Sequence, residues 1–150
     1  MIIQIDSREQ KNEHVRDYFD SVDQQWFTSK CYTGDYYDFT NPRVCIDLKQ
    51  SHGDGIAELC ANLTIGHERL VNEVTRAKEV GFKKFYFLIV STKITRLEDV
   101  HKWVNKRGKV KPETLQKIMV SFRKNHNVNY VFCKKKKAGQ EIIRLLGGQE

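Results

Sequence analysis

The sequence has few cysteines and no long apolar run, and each shortage excludes a class of protein. Its four cysteines, Cys31, Cys45, Cys60 and Cys133, form no Cys-x-x-Cys pair. That spacing argues against a zinc ribbon and against a secreted disulfide framework. Cys45 and Cys133 sit inside strand-like runs, where cysteine is usually a small buried hydrophobe. The longest apolar run, Phe85 to Val90, is far too short to span a bilayer. The N-terminal Met-Ile-Ile-Gln-Ile-Asp enters a strand pattern directly, without the charged and apolar regions of a leader. Internal repeats, low-complexity linkers and membrane segments are all missing, so residues 1–150 are expected to form one soluble, intracellular domain with no membrane partner.

What is present is ordinary for a folded protein, apart from its charge. A hydrophobic content of 39% with 11% aromatics is enough for a buried core and argues against disorder. The formal net charge of +7 and pI of about 9.2 favour a polyanionic partner without requiring one.

Along the chain, Ile2 to Asp6 reads as a strand, followed by Asp6-Ser-Arg-Glu9 and a helix over Asn12 to Asp20 that Ser7 can cap. Trp26 to Tyr36 is strand-like, interrupted at Gly34. After the glycine-rich loop at 50–55, where Asp54 can act as a cap, helices are expected over Ile56–Asn62 and His67–Val80. Arg69, Glu73 and Arg76 share a polar face of the second helix, the pattern of a solvated surface. Phe82–Val90, apolar on both faces, reads as a central strand. A short helix around Leu97 to Val104 follows, with Trp103 as core. Pro112 opens a helix whose stripe is Leu115, Ile118, Met119 and Phe122. Val128–Cys133 and Ala138–Leu146 close the chain as strand and helix. The order predicts an α/β fold, a mixed central sheet flanked by helices. Lys106, Arg107, Lys109 and Lys111, in a loop before Pro112, form a solvated surface or line a phosphate-binding one, as does the Lys134–Lys137 run.

The most informative stretch is Gly34 to Lys49, two short strands with a turn at Asn41-Pro42. In the second strand Val44, Ile46 and Leu48 face one way, and Cys45, Asp47 and Lys49 the other. Pairing of the strands would bring Asp35 near Asp47 and Lys49. Two carboxylates and an ammonium suit a divalent-metal site for phosphodiester hydrolysis, in which acids hold the metal and the lysine orients or activates water and steadies developing charge. The alternative is an edge strand with a surface salt bridge. Acid-any-Lys triplets occur twice, at Glu9-Gln10-Lys11 and Asp47-Leu48-Lys49, and only the second follows a β-branched strand.

Taken in order, Asp6-Ser-Arg-Glu9, Gly34-Asp35-Tyr36, Asp47-Leu48-Lys49 and Gly66-His-Glu-Arg-Leu-Val-Asn-Glu73 resemble the XPF-type nuclease domain of structure-specific DNA endonucleases, within the PD-(D/E)XK, restriction-endonuclease-like fold. The resemblance implies a metal-dependent endodeoxyribonuclease acting on DNA, including branched or junction DNA. It makes Asp35 and Asp47 metal ligands, Glu9 a further acid at the metal and Asp6 a supporting one. Lys49 becomes the catalytic lysine and Arg8 an orienting or phosphate-contacting group, with Arg69 beside the cleft and Mg²⁺ or Mn²⁺ as the ion. A junction-cutting enzyme would be expected to form a homodimer, since two nicks need two sites. The alternative function is a non-catalytic nucleic-acid-binding module on a nuclease scaffold. The chain departs from the family in three motif positions: Asp47 stands where a glutamate is usual, an exchange common in the wider fold, Leu48 where an arginine is usual, and Gly53 where an acid is usual. It also carries no helix-hairpin-helix domain, so a stand-alone nuclease domain is expected.

Overall fold

The computed structural model describes residues 1–148; Gln149 and Glu150, the end of the expected 1–150 domain, lie outside the described residues. Six strands form one sheet: β1 (Ile3–Asp6), β2 (Trp26–Ser29), β3 (Tyr36–Asp38), β4 (Val44–Lys49), β5 (Lys84–Val90) and β6 (Asn129–Cys133), in the spatial order β2-β1-β3-β4-β5-β6. β3 runs antiparallel to both β1 and β4, whereas β1 with β2, β4 with β5 and β5 with β6 are parallel. The sheet is therefore mixed, as the alternation of strand and helix patterns predicts.

Parallel neighbours need crossovers, and helices supply them. α1 (Glu13–Ser21) links β1 to β2. α2 (Gly55–Leu63) and α3 (His67–Glu79) together link β4 to β5, and α4 (Pro112–His126) leads into β6. The last helix, α5 (Ala138–Leu146), packs beside α1. The core is split by the sheet. On one face Ile3, Ile5, Tyr36, Ile46, Leu48 and Leu88 pack with Val15 and Phe19 of α1 and Ile142 and Leu145 of α5. On the other, Cys45, Phe85, Phe87 and Ile89 pack with Leu59, Leu70, Val74, Met119 and Phe122 of α2, α3 and α4. The period-two alternation of β4 and β5 is thus realised on both faces. Trp103 joins the second core, 8% exposed.

Three local expectations are corrected. Trp26 to Tyr36 is not a single strand: β2 ends at Ser29, and residues 30–35 are irregular before β3 begins. Ser7 does not cap the first helix, because its own N–H donates to the Ser29 carbonyl and the helix starts after Asn12. The β3–β4 connection is longer than a turn at Asn41-Pro42, running from Phe39 to Arg43, with the Arg43 N–H bonded to the Asn41 carbonyl.

Candidate active site

β4 delivers two of the site's groups. Asp47 and Lys49 point to the α2–α3 side of the sheet, with side chains 5% and 7% exposed. Their charges pair, Nζ to Oδ2, at 3.1 Å. The ammonium also lies 3.7 Å from Glu58 Oε2 on α2 and 5.8 Å from the centre of the Phe87 ring. This is not the exposed edge-strand salt bridge of the alternative reading, since β4 is an interior strand and both partners are buried.

Asp35 arrives from the start of β3. Its N–H donates to the Ile46 carbonyl and its Oδ2 accepts from the Leu48 N–H at 2.8 Å, which locks the carboxylate beside Asp47. Gly34 makes this approach feasible. Its φ is +69°, and a Cβ there would meet Cys45 Sγ at 2.3 Å, so a side chain is excluded on both counts. The Gly-Asp pair is therefore a geometric requirement of the hairpin.

The loop after β1 adds the remaining predicted groups. The buried Asp6 carboxylate accepts from Arg8 Nε at 3.0 Å and from the Cys31 N–H at 3.0 Å. It is committed to holding that loop. Arg8 is largely exposed and also donates to the Cys31 carbonyl. Glu9 sits within hydrogen-bonding reach of Asp35, and its Oε2 is buried with no partner. All these side chains line one cleft of about 870 Å³ with Glu58, Arg69, Glu73 and Arg76.

The electrostatics show an excess of buried negative charge. Burial, then the neighbouring Asp47 and Glu9 carboxylates, pushes Asp35 well above the usual carboxylate range. Burial and Asp47 lift Glu73 to about 8. Burial lifts Glu9 to about 7 against the lowering effect of its bond to Asp35, with Asp47 raising it further. Burial alone would lower Lys49, but Asp47, Glu58 and Glu73 outweigh it and raise it above the usual lysine value. Lys49 therefore stays an ammonium at neutral pH, suited to steadying anionic charge and orienting water rather than to taking a proton.

A divalent cation suits this donor set. Crowded oxygen ligands, carboxyls that burial drives toward protonation and an orphaned Glu9 oxygen are all relieved by one hard cation. Among the described residues no three carboxylate, thiol or imidazole side chains already converge at metal-ligand spacing; the Lys49 ammonium occupies the Asp47 carboxylate instead.

Two acids escaped the sequence reading. Glu73 belongs to the polar face of α3 whose pattern predicts a solvated surface, yet it is half-buried and lines the cleft with Arg69 and Arg76. The shared face was the available signal. Glu58 had none: its Oε1 accepts from the Gln50 and Ser51 N–H groups, both at 2.9 Å, while Oε2 faces Lys49. That link between strand end and helix exists only in three dimensions. Lys106, Arg107, Lys109 and Lys111 are exposed but do not line the cleft. Arg8, Lys30, Arg69 and Arg76 do, together with Lys49. Asp54 is not in the cleft lining either. It caps α2 by accepting from the Ala57 N–H and also accepts from Trp103 Nε1 at 3.2 Å.

The model of the ERCC4 domain matches residues 5–146. The chain belongs to this family of XPF-type nucleases. Two solved structures of XPF from Aeropyrum pernix, one of them a complex with DNA, superpose on the ERCC4 domain with a TM-score of 0.71 at 16% identity. Each is covered over 63% of its own length and covers 97% of this chain. At that identity the likeness establishes the restriction-endonuclease-like fold, and the chain spans less than two thirds of those proteins. No curated protein matches the sequence significantly. None of the ERCC4 domain's helices, among the described residues, is long and apolar enough to cross a membrane.

Proposed function

We propose that the protein is a metal-dependent endonuclease that hydrolyses phosphodiester bonds in DNA, with branched or junction DNA as the substrate class. The observation that carries this reading is the convergence of Asp35, Asp47 and Lys49, with the unpartnered Glu9 oxygen, at the floor of one cleft. Membership of the ERCC4 family supports the nuclease assignment, and the DNA complex of archaeal XPF supports DNA as the ligand.

Asp35, Asp47 and Glu9 would hold Mg²⁺ or Mn²⁺, which when bound supplies Lewis-acid stabilisation of charge on the scissile phosphate. The protein's own groups do the rest. Lys49, held by Asp47 and Glu58, presents a fixed positive charge where negative charge develops, at no reorganisation cost during the reaction. Asp6 fixes the loop that carries Arg8. Arg8 and Arg69 at the rim, with Lys106, Arg107, Lys109 and Lys111 outside the cleft, contact the sugar-phosphate backbone and position the strand without reading its sequence.

The test is cleavage of labelled duplex, flap, fork and four-way-junction DNA with Mg²⁺, Mn²⁺ or EDTA, comparing wild type with Asp47→Ala. The expected result is metal-dependent cutting that the substitution abolishes while DNA binding survives. Binding without cutting, unchanged by the substitution, would make the chain a nucleic-acid-binding module on a nuclease scaffold.

A further inference from the structure

Tyr32 is the one large aromatic side chain whose position the fold leaves unexplained. The residue is 59% exposed, and among the described residues its side chain has no hydrogen bond and no ring contact. The other surface aromatics are accounted for. Phe39, similarly exposed, packs edge-on against Phe27 at 5.2 Å, Trp26 donates to Asp20, and Tyr37 packs on Phe82. A single exposed tyrosine on a convex surface would mean nothing. Tyr32, however, lines the cleft that holds Asp35 and Asp47.

The loop bearing it is rigidly held. The Lys30 carbonyl accepts from Gln4 Nε2 at 3.4 Å and the Cys31 carbonyl from Arg8 at 3.2 Å. The Cys31 N–H is anchored on the Asp6 carboxylate, and Thr33 Oγ1 donates to the Glu73 carbonyl at 2.8 Å. Residues on both sides of Tyr32 are therefore fixed to β1, the loop after it and α3, all of which also bear acidic or basic groups of the site. A ring held out from so constrained a backbone binds a flat partner with little further ordering cost. Lys30, Arg8 and Arg69 line the same cleft and supply the charge that tracks a phosphate backbone.

Cations beside an uncovered aromatic ring are the pattern that binds unpaired nucleotides, since a base can stack on the ring only where its own stack is open. Building on the DNA-nuclease reading, we infer that Tyr32 stacks on an unpaired nucleobase next to the phosphate held over Asp35 and Asp47. The site thereby selects DNA with a single-stranded stretch or a splayed branch at the cleavage point over continuous duplex.

The experiment uses the full chain in EDTA, so that DNA is bound and not cut. Forked oligonucleotides carry 2-aminopurine at successive positions across the branch, and a continuous duplex serves as comparison. Wild type and Tyr32→Phe should quench the probe at one unpaired position. Tyr32→Ala should lose that quenching, and its affinity ratio for fork over duplex should fall by about tenfold, within the range found when a stacking aromatic is truncated. Because the ring is exposed, Tyr32→Ala should melt with wild type, which separates the effect from misfolding. If Tyr32→Ala keeps both the quenching and the fork preference, the stacking role is overturned, while Asp47-dependent cleavage by the same preparation would leave the nuclease reading standing. If wild type itself binds neither DNA, the stacking role falls, and the metal-dependent cleavage assay decides the nuclease reading separately.

Discussion

In Glu73→Gln, one of the crowded acids of the cleft is made neutral without changing its shape. Glu73 lies half-buried on α3 beside Asp47, and burial followed by the Asp47 charge raises its carboxyl from the ordinary 4.5 to about 8. The folded protein therefore holds a proton that the unfolded chain has released between those two values. In that window the folded state binds more protons, so stability must fall as pH rises, levelling off above about 8. At about 1.4 kcal/mol per pH unit the whole interval corresponds to about 5 kcal/mol for an isolated group. Coupling to a neighbouring acid reduces this, and about 3 kcal/mol is the working figure for one substitution. Urea unfolding in EDTA at about pH 5 and about pH 9 measures it. Wild type should be markedly less stable at the higher pH. Glu73→Gln should match wild type in acid and exceed it in alkali, and Mg²⁺ should restore wild type there by neutralising the same cluster. A wild-type stability that is flat across this range, or a variant weaker than wild type at about pH 9, would refute the claim that buried repulsion dominates the cleft.

Two further substitutions probe how the fold holds the site. Gly55 opens α2 against the end of β4, where a Cβ would meet the Lys49 carbonyl oxygen at 2.0 Å and the Val90 nitrogen at 2.8 Å. Gly55→Ala should cost about 2 kcal/mol or more, because only backbone is there to give way, and should reduce cleavage by displacing Lys49; thermal melting and a cleavage rate check both. Asp54→Ala removes the α2 cap and the acceptor of Trp103 Nε1, so about 1–2 kcal/mol should be lost. Since Asp54 is outside the cleft lining, DNA cleavage at a temperature where the variant is folded should remain near wild type.

Much of this protein is legible in its sequence because periodicity is local. Apolar residues at alternate positions of β4 and at both faces of β5 declare a buried interior sheet, and helical spacing in α3 and α4 declares the covering layer. Asp47 and Lys49 could be assigned to one face because side chains two apart on a strand must share it. Gly34 interrupts the strand pattern visibly, but that it lets the backbone approach Cys45 beside Asp35 is shown only by the structure. Tertiary structure alone decided the rest. The two halves of the carboxylate cluster lie far apart in the chain, and only sheet order β1-β3-β4 brings Glu9, Asp35 and Asp47 together. Glu73 looks identical to a solvated helix residue until α3 is laid along the cleft. Glu58 joins Lys49 only after α2 folds back over β4, and the Lys106–Lys111 cations, though basic by sequence, end up away from the cleft lining. Charge and spacing are properties of the chain; whether a carboxylate meets water or another carboxylate is set by packing, and with it the chemistry the group can do.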